Sequence, residues 1–422
     1  MQATVRFEHE LLAVESEHDV WCMLELVAPS APQDVARRPL AVSLVIDRSG
    51  SMAGRKLEVT RACAAFLVER MAPVDLLSIV AYDDEVQLRA PLTPLDGNRD
   101  TLLATIRRIH PGGQTNLSGG WLKGAETLSD APADTLRRVL LLSDGLANAG
   151  ITDVPSLRGF AERTWADGVS TSTVGFGDGF NEDLLTAMAD AGGGTAHFAE
   201  TPDDAPGIFG QEFADLVSLV AQNVSVEIRP EPEVGFLGIL NGFPLVAVDG
   251  GVQVQLGDAY GDERRRVVFH LHVPSVAALG PRRVAEVVLR YVSVGQEVAH
   301  HEVRMPLTVN LVSADEAAAT APDAEVTEEV VILSSAKAAQ EAREQADRGD
   351  LEGAERTLRE AADRLAATAE GSARADELLE QALFWHQRSD ALASDAYDMM
   401  ERKRMLYRSR MTSESRRRRE PS

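Results

Sequence analysis

Five oxygen-bearing side chains could act together in this sequence. Asp47, Ser49 and Ser51 close the run "LAVSLVIDRSGS", Thr115 sits in "HPGGQTNLSGG", and Asp144 ends "LLLSDG". Leu44, Val45 and Ile46 have the character of a strand buried on both faces, and loop-forming residues follow them. An ionisable group at position 47 has therefore left the core and faces something. Two carboxylates and three hydroxyls form an all-oxygen set. Hard divalent cations suit such ligands: Mg²⁺ or Mn²⁺ in octahedral geometry, or Ca²⁺ if the site is looser. No His or Cys lies in these loops, which argues against zinc. With only two anionic ligands the cation stays under-neutralised, so it should want one further anionic oxygen, most simply an Asp or Glu of another protein. Such a site binds rather than catalyses, and no catalytic residue is assigned. The plainer alternative makes Ser49 and Ser51 helix caps and Asp144 a turn former.

These residues need elements that bring them to one edge. From Leu40 to about Val220 the pattern alternates strands ("LAVSLVID", "LLSIVAYD", "RVLLLSD", "VSTSTVGFG", "TAHFAE") with helical stretches such as "RKLEVTRACAAFLVERM", "RDTLLATIRRI" and "SLRGFAERTWADG". That alternation predicts an α/β fold, a doubly wound and mostly parallel sheet with helices on both faces. Ligands of such sheets bind beyond the carboxyl ends of the strands, where Asp47 and Asp144 lie. Residues 1–38 hold the strand-like runs "TVRFEHELLAV" and "DVWCMLELVAP", and residues 222–312 are strand-like again. Most of these strands alternate apolar and polar, as half-buried antiparallel strands do. The expectation is a β-sandwich into which the α/β domain, residues 39–221, is inserted. Residues 313–410 form an Ala- and acid-rich linker and a C-terminal helical region, divided at Gly349-Asp350 and Gly371-Ser372 into about three helices. The basic tail, residues 411–422, ends in "SESRRRREPS" and is expected to be disordered.

In this order and context, the Asp-x-Ser-x-Ser run, the Gly-Gly-x-Thr loop and the Ser-Asp-Gly strand end resemble the von Willebrand factor A (VWA) domain. The resemblance covers roughly residues 39–221 and includes "VGFGDGFNEDLLTAMADAGGGTAHFAE". It implies that Asp47, Ser49, Ser51, Thr115 and Asp144 form a metal-ion-dependent adhesion site, and that Thr115 coordinates directly or through water as a partner comes and goes. The glycines of "GGQTN" are expected to let that loop move at little steric cost. The β-rich run to Val312 more loosely resembles the sandwich accompanying VWA domains in bacterial proteins and inter-alpha-trypsin-inhibitor heavy chains.

Composition narrows the partners. A formal charge of −24 argues against nucleic acid, whose phosphates need a basic face. No apolar stretch reaches the length of a membrane span. The N-terminal residues lack the pattern of a signal peptide, and Cys22 and Cys63 fit no metal or disulfide spacing; both point to the cytoplasm. "GFGDGF" lacks the third glycine of a dinucleotide fingerprint and suits a strand-to-helix turn. His270 with His272, and His300 with His301, suit half-exposed strands better than a metal site. The sequence thus predicts a bacterial-type, non-enzymatic protein-binding module working within an assembly. Its rivals are a self-association scaffold with a loop-stabilising metal and a metal-dependent hydrolase, the latter lacking a base or nucleophile in the three loops.

Overall fold

The computed structural model describes residues 1–31, 37–144, 146–177, 179–294, 299–394 and 396–418, with side chains to Ser415. The chain divides into two compact units, residues 1–31 with 219–422, and residues 32–218.

The chain begins with β1 (Gln2–Phe7), β2 (Leu11–Ala13) and β3 (His18–Val27) of the first unit. "TVRFEHELLAV" therefore makes two strands rather than one, and they join different sheets.

The second unit runs β4 (Leu40–Asp47), α1 (Arg55–Arg70), β5 (Leu76–Tyr82), β6 (Val86–Pro94), α2 (Arg99–Arg107) and α3 (Leu117–Leu128). It continues through β7 (Leu136–Ser143), α4 (Val154–Ala166), β8 (Val169–Phe176), α5 (Glu182–Ala191), β9 (Gly193–Ala199) and α6 (Ala205–Val217). Its sheet has the order β6-β5-β4-β7-β8-β9. All pairs are parallel except β5–β6. Every residue of β4 is buried, as expected for a central strand covered on both faces. The helix α3 packs so closely on the sheet that a Cβ at Gly124 would lie 2.3 Å from Val45 Cγ2, which explains glycine inside a helix. Beneath α1 and α6, Leu44, Ile46, Leu67, Leu142 and Phe209 belong to one core.

The first unit resumes with β10 (Leu219–Pro230), β11 (Gly235–Ile239), β12 (Leu245–Val248), β13 (Gly251–Tyr260), β14 (Glu263–Val273), β15 (Gly280–Ser293) and β16 (Ala299–Val312). One sheet contains β1-β3-β14-β11 and the other β12-β13-β10-β15-β16-β2. Between them Leu24, Val226, Phe269 and Val287 form a shared core. Histidines on these strands have ordinary partners. His270 stacks on Trp21, and His272 meets Asp19 at 2.8 Å. His301 stacks on Tyr291.

After the short α7 (Ala314–Ala318), the described residues form four helices rather than about three: α8 (Ala324–Asp347), α9 (Leu351–Ala369), α10 (Ala375–Ala393) and α11 (Met399–Ser413). Asp398 caps the additional helix by accepting from the N–H groups of Met400 and Glu401. Val326 and Leu333 of α8 pack on Met23 and Val268 of the sandwich. Residues 411–413 complete α11, and residues 416–418 pair as β17 with β14. The expected disordered tail is thus corrected for these residues, because the edge of β14 offers unpaired backbone groups to an extended segment. Arg419 to Ser422 lie outside the described residues.

Candidate metal centre

Asp47 is the last residue of β4, and Asp144 directly follows β7, its parallel neighbour. Adjacent parallel strands therefore deliver both carboxylates to the same edge. Asp47 is fully buried. Its Oδ1 accepts the Ser49 N–H at 2.8 Å and its Oδ2 accepts the Ser143 hydroxyl at 2.7 Å. Burial pushes the Asp47 carboxyl up to about 6 despite these bonds. The Ser49 and Ser51 hydroxyl oxygens lie 3.2 Å apart, and Ser51 donates to Asp144 Oδ1 at 2.7 Å. The other oxygen of Asp144 accepts the Lys56 ammonium.

Thr115 is also buried. Its N–H donates to Asn148 Oδ1 at 2.9 Å, and its carbonyl accepts the Asn148 and Ala149 N–H groups. Three residues earlier the Gly112 N–H donates to the Arg48 carbonyl at 2.6 Å, and the Gly50 N–H donates to the Gly113 carbonyl at 3.0 Å. The threonine loop is thus stitched to the loop carrying Ser49 and Ser51, and to the segment after Asp144. Asp47, Ser49, Ser51 and Asp144 make a contiguous polar group, and backbone pairing brings the Thr115 loop against it. Gly145 of the Ser-Asp-Gly motif lies outside the described residues.

Four residues that organise this edge escaped the sequence reading. Asp83, just past β5, accepts Arg48 Nη2 at 2.8 Å and the Glu85 N–H on Oδ1, and the Gly113 N–H at 2.9 Å on Oδ2. Asn116 caps α3 by accepting the Gly119 N–H. Asn148 holds the Thr115 backbone, and Lys56 neutralises Asp144. Asp83 had a legible signal, a carboxylate at a strand end like the other two aspartates. Asn116 had one too, an Asn directly before a helix, whereas Asn148 and Lys56 act on partners 33 and 88 residues away.

Gly112 has a different role from the expected loop slack. A Cβ there would lie 1.8 Å from Asp83 Oδ2, so close approach is what demands glycine. Gly112→Ala should cost about 1–3 kcal/mol through that overlap. Thermal unfolding would check this, with an unchanged midpoint counting against the packing.

The donor chemistry fits a hard divalent cation. Four hydroxyl or carboxylate side chains are clustered, one carboxylate is disfavoured as an uncompensated anion, and the other already holds a cationic group. A bound cation would supply a Lewis-acidic centre there.

Residues 42–211 match the von Willebrand factor type A domain family. Residues 42–211 form a VWA domain. Over 347 residues the chain is 26% identical to an uncharacterised protein of Synechocystis sp., covering 80% of this chain and 81% of that protein. It is 30% identical over 169 residues to human inter-alpha-trypsin inhibitor heavy chain H3, but this spans only 38% of this chain and 19% of the heavy chain. Its fold is similar to that of a von Willebrand factor type A protein from Catenulispora acidiphila, with a TM-score of 0.68 and 18% identity. That similarity covers 89% of this chain and 88% of the other. Among the described residues, no helix is long and apolar enough to cross a membrane.

Proposed function

We propose that this protein is a divalent-cation-dependent protein-binding module. Asp47, Ser49, Ser51, Thr115 and Asp144 would hold Mg²⁺ or Mn²⁺, with Ca²⁺ as the weaker candidate. The cation's remaining position would take an Asp or Glu of a partner protein. The observation that carries this reading is the run of contacts from Asp47 through Ser49 and Ser51 to Asp144, at the edge where a VWA domain presents its ligand-binding face. VWA domains commonly mediate protein interactions, and the reading is non-enzymatic. The α8–α11 helices and the sandwich would position the domain in a cytoplasmic assembly.

Under this reading Asp47 and Asp144 supply charge, while Ser49 and Ser51 supply neutral oxygens. The Asp83–Arg48 pair would fix the threonine loop, leaving the Thr115 hydroxyl to respond to an incoming carboxylate. Thr115→Ala should therefore weaken partner capture more than cation binding, because two carboxylates and two serines still hold the ion. Affinity capture from a lysate of the source organism tests this with wild type, Thr115→Ala and EDTA-treated protein. Wild-type capture should vanish in EDTA and return with Mg²⁺. A partner set indifferent to all three conditions would place recognition elsewhere.

A further inference from the structure

We propose that Lys56 is a built-in competitor of the divalent cation, making cation binding weak until an outside carboxylate arrives. This inference rests on the cation reading above and concerns how that site is regulated. Lys56 lies in the first turn of α1, directly after the loop bearing Ser49 and Ser51. Its ammonium reaches back to Asp144 Oδ2, while Ser51 donates to Oδ1. Both oxygens of the carboxylate are therefore engaged without any ion. The tip of the side chain runs beside Gly177 in the turn after β8, where a Cβ would lie 3.8 Å from Nζ. The lysine thus lies along an adjacent loop rather than hanging in water, and its side chain is 30% exposed against 0% for Asp144.

The charge count gives this contact its consequence. Asp47 and Asp144 contribute two negative charges and Lys56 removes one. Nearby, Arg48 is matched by Asp83 at 2.8 Å, so that pair adds nothing net. A divalent ion joining this set meets one net negative charge rather than two. It must also share Asp144 with an ammonium at close range, where like charges repel strongly in a partly buried setting. An anionic oxygen from a partner would restore the missing charge. Cation and partner are thereby coupled, each raising the affinity of the other.

The residue type fits the role. Basic residues here are nearly all arginine, with lysine only at positions 56, 123, 337 and 403. An arginine would grip a carboxylate with a planar, two-pronged fork, whereas lysine presents a compact charge on a flexible stem that can withdraw.

The test is calorimetric titration of Mn²⁺ alone into metal-free wild type, Lys56→Gln and Lys56→Arg, with thermal unfolding of each protein with and without Mn²⁺. Lys56→Gln should bind Mn²⁺ about tenfold tighter or better, since losing one short-range like charge is worth about that factor. Its metal-free melting temperature should fall below wild type, and its rise on adding Mn²⁺ should be larger. Lys56→Arg, which keeps the charge, should bind no tighter than wild type. Equal or weaker Mn²⁺ binding by Lys56→Gln, with wild-type circular dichroism, would overturn the competitor role while leaving the cation site intact. Absence of Mn²⁺ binding in all three proteins would overturn the cation reading itself, and this inference with it.

Discussion

Glu329→Ala should cost about 1.5–3 kcal/mol of folding stability, because it removes the buried carboxylate that two guanidiniums share, while Arg266 keeps Glu25 and Glu325 and Arg374 keeps Glu377. Glu329 on α8 is fully buried. Its Oε2 accepts Arg266 Nη1 at 2.9 Å and Arg374 Nη1 at 2.8 Å, while its Oε1 accepts the Ser415 hydroxyl. Arg266, on β14, also binds Glu25 of β3 and Glu325 of α8. Burial opposes ionisation of Glu329, but the Arg374 charge and these hydrogen bonds outweigh it and hold the carboxyl below its usual range. One carboxylate therefore joins the sandwich, α8 and the segment preceding α10. Differential scanning calorimetry should show a melting temperature lower by roughly 3–12 °C, at about 2–4 °C per kcal/mol for a domain of this size. A midpoint unchanged in Glu329→Ala would show that the network contributes little.

The second large effect concerns Glu212 in α6, and it depends on pH. Its carboxylate is buried, with Arg138 Nη1 at 2.9 Å, the Ser172 hydroxyl at 2.7 Å and His197 Nε2 at 2.9 Å. Burial pushes the carboxyl up, but the charge of Arg138 and the bonds from His197 and Ser172 prevail and bring it down to about 2. The folded state thus releases its proton more readily than the unfolded state, whose ordinary value is 4.5. The resulting stabilisation is complete above the unfolded value and is lost as pH falls from there towards about 2. Its size is on the order of 3 kcal/mol. Glu212→Gln should lower stability near neutral pH and flatten the acid limb. Urea unfolding of both proteins at pH 7, 4.5, 3.5 and 2.5 measures this, with the gap between them closing as pH falls. A gap that stays constant through that window would contradict the assignment.

The sequence was most legible where one physical rule acts locally. Buried runs such as "LAVSLVID" and "RVLLLSD" betray central parallel strands, and the carboxylate at the end of each reaches the same edge of the sheet. Gly349-Asp350 and Gly371-Ser372 bound helices because glycine ends a helix and the following polar residue can begin another. The break before α11 was missed because it contains no glycine; only Asp398 signals it. Edge strand β6 was missed because its polar, partly exposed residues lack a buried strand's continuous apolarity. The threonine loop was legible from its Gly-Gly-x-Thr run, but the tight packing that its glycines permit was not. Gly112 is needed because of Asp83, and Gly113 because of Asp84, which the chain brings against them only after folding. Lys56, Asn148 and Glu212 were likewise hidden, since each acts on a carboxylate, backbone group or guanidinium far away in sequence.

Calorimetric titration of Mn²⁺ into wild type, Asp47→Ala and Asp144→Ala tests the cation centre most directly. The site predicts one bound ion per chain in wild type and no measurable binding in either variant, with far-UV circular dichroism unchanged in both. Mn²⁺ binding of wild-type stoichiometry and affinity in the two variants would contradict it.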